Sequence, residues 1–249
     1  MERHYGIRRS GAEGAGAGMQ HGKLAEMAQD IGPPERGSET EGRAFATPIA
    51  AFDFDGTLTI RDSFTAFLRW RAGPAGFAVG AARLAPAALR YLADRDRGRI
   101  KAAAARVFLQ GLTLAELDGL ARAFAAEQAD HLLRPDALAT WRTWRLKGAR
   151  LVIVTASPAP IVRPFAERLG ADDLIGTELA LDADGRVTGA CATPNCRGPE
   201  KVARLTARFG PGLRLAAAYG DTAGDREMLA IADVKGYRVF REKPAGPKP

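Results

Sequence analysis

The sequence predicts an α/β protein: a parallel sheet with helices on both faces and a block of helices inserted after the first strand. Three observations carry this. Short apolar runs at 47–52, 150–154 and 213–219 each lead into a polar residue, as buried parallel strands do. Helical periodicity fills the chain between the later runs, which is the alternation that parallel crossovers require. Residues 65–132 carry only helix and turn patterns, so they interrupt that alternation as an insertion.

Taken in order, residues 1–46 hold nine glycines, a Pro-Pro-Glu-Arg-Gly-Ser stretch at 33–38 and no hydrophobic period, the marks of a disordered leader. Met19 and Met27 each offer a later start. The first strand, Thr47 to Phe52, delivers Asp53. Phe64, Phe67, Leu68 and residues 70–72 predict a helix that Gly73-Pro74 breaks, with further helical regions at 76–94 and 98–109. Thr113 and Glu116 form a capping-box signature ahead of Leu117, Leu120, Ala121, Phe124 and Ala125. After Pro135, a helix carrying Leu138, Trp141, Trp144 and Leu146 stops at Gly148, immediately before the strand at 150–155. Helix 158–169 ends at Gly170, and Pro164 is expected to bend or shorten it. Asp184-Gly185 joins strands near 177–182 and 186–190 as a hairpin, and helix 199–208 leads to the strand at 213–219. The expected division is a leader at 1–46, a core at 47–64 and 133–249, and a helical cap at 65–132.

Composition narrows the function classes. The 249 residues are 46% hydrophobic, 26% charged and 7% aromatic, which suits a globular protein rather than a fibrous one. Cys191 and Cys196 are the only cysteines, too few for a disulfide scaffold or a zinc site, and a reducing, cytoplasmic setting is expected. The most apolar segment, Ala72 to Leu89, contains Arg83, Pro74 and Pro86, so no spanning helix is expected. The net charge of +7 is unevenly placed: residues 65–101 hold eight basic residues against Asp94 and Asp96. A basic nucleic-acid-binding protein would explain that charge. It would leave the acidic motifs unexplained, and the interleaved aromatics of such proteins are missing, so no nucleic-acid partner is expected.

Four groups of polar residues stand at the carboxyl ends of the expected strands, where open α/β sheets place their ligands. Asp53 is followed by Asp55 in Asp53-Phe-Asp-Gly-Thr-Leu-Thr59; alone, the two carboxylates could be helix caps. Thr155 closes the second apolar run, and Ser157 is placed to cap a helix starting at Pro158. Lys201 lies in the first turn of a helix, where its charge opposes the dipole; it reads either as an exposed helix lysine or as a site residue. Asp221 and Asp225 follow the last run in Gly220-Asp-Thr-Ala-Gly-Asp225. Gathered in one fold, such carboxylates repel by about 4 kcal/mol per pair at about 4 Å. A cation must sit among them, and hard oxygen ligands favour Mg2+, which also binds phosphate.

Together and in this order, these residues resemble the signature of the haloacid dehalogenase (HAD) superfamily: DxDGT, a strand-terminal Thr or Ser, a Lys, then GDxxxD. The resemblance covers 47–240. It implies a HAD-like Rossmannoid sheet and an Mg2+-dependent phosphatase that hydrolyses a phosphomonoester through an aspartyl-phosphate. It assigns Asp53 as nucleophile and Asp55 as general acid and then base, a residue that halide displacement would not need. Thr155 and Lys201 would bind the phosphoryl oxygens. Asp53, Asp221 and the Asp55 carbonyl would hold the metal, with Asp225 holding its waters.

The helical insertion resembles that of the phosphoserine-phosphatase-like branch, subfamily IB. Asp62, nine residues after Asp53, matches an acidic position that contacts the substrate amine in phosphoserine phosphatases, where it is Glu. Gly56, Thr155-Ala-Ser157 and Gly224 depart from that pattern. DFDGTLTIRDSF, VTASPAPIV and CRGPEKVARL are more similar to uncharacterised subfamily IB hydrolases and to the phosphatidylglycerophosphatase C type. The substrate expected is therefore a phosphorylated small molecule or a phospholipid head group, with phosphoserine as the alternative. Arg69, Arg71, Arg83, Arg90, Arg95, Arg97, Arg99 and Lys101 accompany Phe77, Val79, Leu84, Leu89 and Leu92 in the cap. This segment reads either as a solvated face with its apolar side packed on the core, or as a surface for peripheral contact with an anionic inner membrane face.

Overall fold

A computed structural model describes residues 47–94 and 97–245. The expected leader at 1–46 and Arg95 of the basic segment lie outside the described residues. In chain order the strands are β1 (Ile49–Phe52), β2 (Arg150–Pro158), β3 (Asp173–Thr177), β4 (Leu179–Leu181), β5 (Val187–Cys191), β6 (Leu215–Gly220) and β7 (Ala232–Tyr237). Five of them form one parallel sheet in the order β3-β2-β1-β6-β7, and β4 and β5 form a separate antiparallel pair. The chain leaves β1 toward β2 and β3 on one side and returns to β6 and β7 on the other. The edge between β1 and β6 is thus the point where strand order reverses, and crevices open there.

Side chains alternate between the two faces of the sheet, and both faces are buried. Ala50, Phe52, Leu151, Ile153, Ala217 and Tyr219 join one apolar cluster; Ala51, Val152, Val154 and Ala218 join the other. This is why the strand runs read as continuous apolar stretches rather than as alternating ones. Helices α1 (Ser63–Arg83), α2 (Ala85–Asp94), α3 (Arg97–Leu109), α4 (Leu114–Leu132) and α5 (Pro135–Leu146) lie between β1 and β2, followed by α6 (Ala159–Leu169) between β2 and β3. Trp141 of α5 and Phe165 of α6 cover the first face, with Phe67, Phe108 and Phe124 of the insertion continuing the same cluster. The second face is covered by Leu205 of α7 (Pro199–Phe209) and Met228 of α8 (Arg226–Ala230).

The insertion is tied to the core where it leaves and returns. Ile60 N–H donates to Leu132 O and Arg134 N–H to Leu58 O, both at 2.8 Å. The Thr113–Glu116 capping box starts α4 as expected, and Gly73, at φ 65° and ψ 173°, interrupts α1 where the break was expected. Pro164 does not shorten α6, which runs on to Gly170. The expected helix at 76–94 is divided at Leu84, and β3, β7 and α8 were not expected. No helix among the described residues is long and apolar enough to cross a membrane.

Candidate active site

Asp53 follows β1, and its N–H donates to Tyr219 O of β6 at 2.9 Å, which places its carboxylate at the strand-order reversal. The next residues turn sharply: Asp55 is extended, Gly56 takes φ 83°, and Thr59 closes the turn by donating its N–H to Phe54 O at 2.9 Å. Only a glycine suits position 56. Its φ is left-handed, and a Cβ there would lie 2.4 Å from Asp221 Oδ2. The turn therefore brings the backbone of the first motif against the side chain of the last.

Lys201 is the centre of the electrostatics. Its side chain is buried rather than exposed, and its Nζ donates at 2.7 Å to Asp53 Oδ1, Asp225 Oδ1 and Val154 O. An ammonium has three protons, and all three are used. Burial disfavours its charge, but the Asp53 and Asp225 carboxylates outweigh burial and hold its pKa up at about 12. Asp53 has a less complete environment. Burial pushes its pKa up to about 7, with Lys201 opposing and Asp225 adding to the rise.

Asp225 Oδ2 accepts from Thr222 N–H and Thr222 Oγ1, both at 2.9 Å, and from Asp221 N–H at 3.3 Å. Burial would raise its pKa, but Lys201 and these donors together hold it below the usual carboxylate range. Asp221 is half-buried; burial and then the Asp225 charge raise it. Thr57 Oγ1 lies 3.4 Å from both Asp53 Oδ2 and Asp221 Oδ1. One carboxylate oxygen from each of Asp53, Asp221 and Asp225 lies within 4.8 Å of the other two. Three hard oxygen donors at this spacing, with a backbone cradle that a Cβ at Gly56 would fill, fit a divalent cation such as Mg2+.

A cavity of about 330 Å³ opens over this cluster, walled by Asp53, Asp55, Asp62, Lys101, Arg197 and Asp221 among others. Asp55 Oδ1 accepts the Ser63 N–H at 2.7 Å, and its Oδ2 accepts the Ser157 hydroxyl. Burial raises its pKa, and the Asp62 charge adds to the rise. Asp62 caps α1 by accepting the Thr65 N–H at 2.7 Å, and its other oxygen lies 3.8 Å from Lys101 Nζ.

Of the seven residues singled out from sequence, the structure brings Asp53, Asp55, Asp62, Lys201, Asp221 and Asp225 to this cavity. Thr155 is fully buried and does not line it, its Oγ1 accepting the Ser157 N–H at 3.0 Å. The expectation that Ser157 caps a helix is wrong. Strand β2 continues through Pro158, Pro158 takes the cap position without a capping side chain, and Ser157 turns to Asp55. Extending the strand by two residues would have put Ser157 beside Thr155 on one face. Lys101 and Arg197 were also missed as site residues; their approach is long-range, and no local pattern marks them.

A haloacid dehalogenase-like hydrolase family model matches residues 50–230. The chain belongs to this family. It is 62% identical over 197 residues to Protein CicA of Caulobacter vibrioides, a match covering 79% of this chain and 88% of that one. It is 31% identical over 211 residues to phosphoserine phosphatase SerB2 of Mycobacterium tuberculosis, covering 83% of this chain and 47% of that protein. Among solved structures, a protein of unknown function from Bordetella pertussis Tohama I aligns with TM-score 0.62 at 25% identity, covering 74% of this chain and 87% of that one. This HAD-family hydrolase thus shares its fold with a phosphoserine-phosphatase-like group, and the acidic cluster falls within the matched region.

Proposed function

We propose that this HAD-family hydrolase is an Mg2+-dependent phosphatase that hydrolyses a phosphomonoester through an aspartyl-phosphate on Asp53. The observation that carries the reading is the position of Asp53: its carboxylate has one oxygen held by Lys201 and lies with Asp221 and Asp225 at the wall of a cavity that Asp55 also enters. Asp53, Asp221 and the Asp55 carbonyl would hold the cation, which supplies positive charge to the phosphoryl oxygens when bound. Both oxygens of Asp225 are already engaged by Lys201, Thr222 and Asp221, which suits it to orient the site rather than to bind substrate.

In the first step an Asp53 oxygen bonds to phosphorus while the ester P–O bond breaks. The bond's electrons pass to the leaving oxygen, which takes the proton of Asp55. In the second, Asp55 takes a proton from water as the water oxygen attacks phosphorus, and Asp53 is released as carboxylate. Lys201 keeps Asp53 oriented and offsets the charge on the transferring group. Thr155 is the residue assigned to donate to the phosphoryl oxygens; in the structure it is fully buried and its Oγ1 accepts the Ser157 N–H. Asp62 and the insertion face the leaving group.

Two features of the insertion support a leaving group with an apolar part. A second cavity of about 330 Å³, walled by Leu68, Phe77, Leu84, Ile100 and Phe108, shares Asp62 and Lys101 with the first. Phe77 and Leu84 pack against the core, while Val79, Leu89 and Leu92 are 56%, 68% and 61% exposed, and Arg83 and Arg90 of the same segment are exposed too. These favour a phospholipid head group reached by peripheral contact with an anionic membrane from the cytoplasmic side. Phosphoserine, the substrate in the name of the Mycobacterium relative, remains the second reading because of Asp62.

The test is phosphate release with Mg2+ and with EDTA from phosphoserine, sugar phosphates, nucleotides, p-nitrophenyl phosphate and phosphatidylglycerophosphate in micelles. Expected are Mg2+-dependent release, preference for the lipid, and no turnover by Asp53→Asn. Turnover that persists in EDTA or in Asp53→Asn would sink the proposal.

A further inference from the structure

The cavity contains a polar connection that the reaction as described does not use. Ser157 is fully buried near the end of β2, and its hydroxyl donates to Asp55 Oδ2. Lys101 Nζ, carried by α3 of the insertion, donates to Ser157 Oγ at 3.3 Å. An ammonium only donates, so Lys101 occupies a lone pair of Oγ and leaves the hydroxyl proton for Asp55. The opposite oxygen of Asp55 accepts the Ser63 N–H at 2.7 Å. The carboxyl is therefore held from two sides, by the first residue of α1 and by the end of β2.

Such holding matters because the last torsion of an aspartate is broad and has no staggered well to fix it. The plane of the carboxyl is set by its hydrogen bonds or not at all. We propose that Ser157, oriented by Lys101, is the positioning residue that turns the Asp55 carboxyl toward the leaving-group oxygen, so that the insertion controls proton delivery to the leaving group. This rests on the reading of Asp55 as general acid. Neither Ser157 nor Lys101 gains or loses a proton in the step: the proton that reaches the leaving oxygen comes from Asp55, as the P–O bond to that oxygen breaks and the Asp53 oxygen–phosphorus bond forms. Lys101 orients Ser157 by direct contact: its ammonium touches Asp62 and Ser157, and toward Asp55 it acts as a nearby positive charge that opposes the rise in the Asp55 pKa.

The reading separates from a structural role by leaving group. An alkoxide needs a proton to leave, whereas dinitrophenolate does not, and kcat/KM reports only the steps through attack on phosphorus. For Ser157→Ala, kcat/KM should fall about 10- to 100-fold further on the alkyl phosphate that the wild type turns over fastest than on 2,4-dinitrophenyl phosphate, part of the range that general acid catalysis supplies. Lys101→Met should shift the ratio in the same direction by less, and because Lys101 and Ser157 touch, the shift in that ratio for the double variant should fall short of the product of the two single shifts. Thermal unfolding of each variant checks that it is folded. Equal losses on the two esters, or losses that multiply in the double variant, would overturn the proposal, as would wild-type turnover of the aryl ester alone. No Mg2+-dependent turnover of either ester by the wild type would overturn the phosphatase reading itself, and this inference with it.

Discussion

Lys201 ties three oxygens from three separate segments with one ammonium, and removing it would leave two buried carboxylates facing each other. Breaking a buried pair in this way costs about 3 to 5 kcal/mol, far more than an exposed pair is worth. Lys201→Met should therefore lose both activity and stability, read as a lower thermal midpoint alongside phosphate release. A variant that keeps the wild-type midpoint would show that the charges are not coupled as the distances say. From sequence, Lys201 had two readings, and its unfavourable place in the first turn of a helix was the hint: a local cost that a tertiary partner repays. Asp53, Asp55, Asp221 and Asp225 were legible because each follows a strand end. Ser157 was not, because a Ser before Pro at a helix start has an ordinary capping explanation, and the contact that gives it a different role comes from residues 102 positions earlier.

At the scale of elements, the turn after β1 is the part most exposed to a single methyl group. Gly56→Ala places a Cβ against Asp221 Oδ2 and asks an L-residue to adopt φ 83°, at a backbone cost of about 1 to 2 kcal/mol. The expected outcome is weaker Mg2+ binding by calorimetric titration together with a lowered thermal midpoint; unchanged Mg2+ affinity would separate the turn from the metal site. The strands β1 and β6 and residues 151–154 of β2 were legible because burial on both faces makes them continuous apolar runs. The edge strands were not. In β7 only Ala232 and Gly236 are buried, and Asp233 and Lys235 interrupt any apolar run. In β3 a five-residue segment opens with Asp173, whose carboxylate pairs with Arg150 and Arg208. The pairing of such strands is dictated by the neighbours they join, which a local pattern does not record.

Among the described residues, the sheet carries the acidic cluster while the insertion contributes Lys101 to the cavity over it, and the two share one apolar cluster running from Phe52 to Phe124. The division of labour implies that chemistry and substrate choice can be altered separately. Replacing Leu89 and Leu92 by Asp adds two negative charges to an exposed basic surface. Binding to phosphatidylglycerol vesicles, measured by co-sedimentation, should fall by about ten-fold or more, since each basic residue near such a surface contributes about 1 kcal/mol. Hydrolysis of p-nitrophenyl phosphate should be kept. Vesicle binding that survives the double substitution would remove the membrane from the account and favour a small soluble ester. The central claim, however, is covalent chemistry at Asp53. Its most direct test is acid quenching of the enzyme during turnover of p-nitrophenyl phosphate with Mg2+, followed by mass spectrometry of the peptides. The account predicts one added phosphoryl group on Asp53, absent when Mg2+ is withheld; a phosphoryl group on any other residue, or full turnover with none on Asp53, would contradict it.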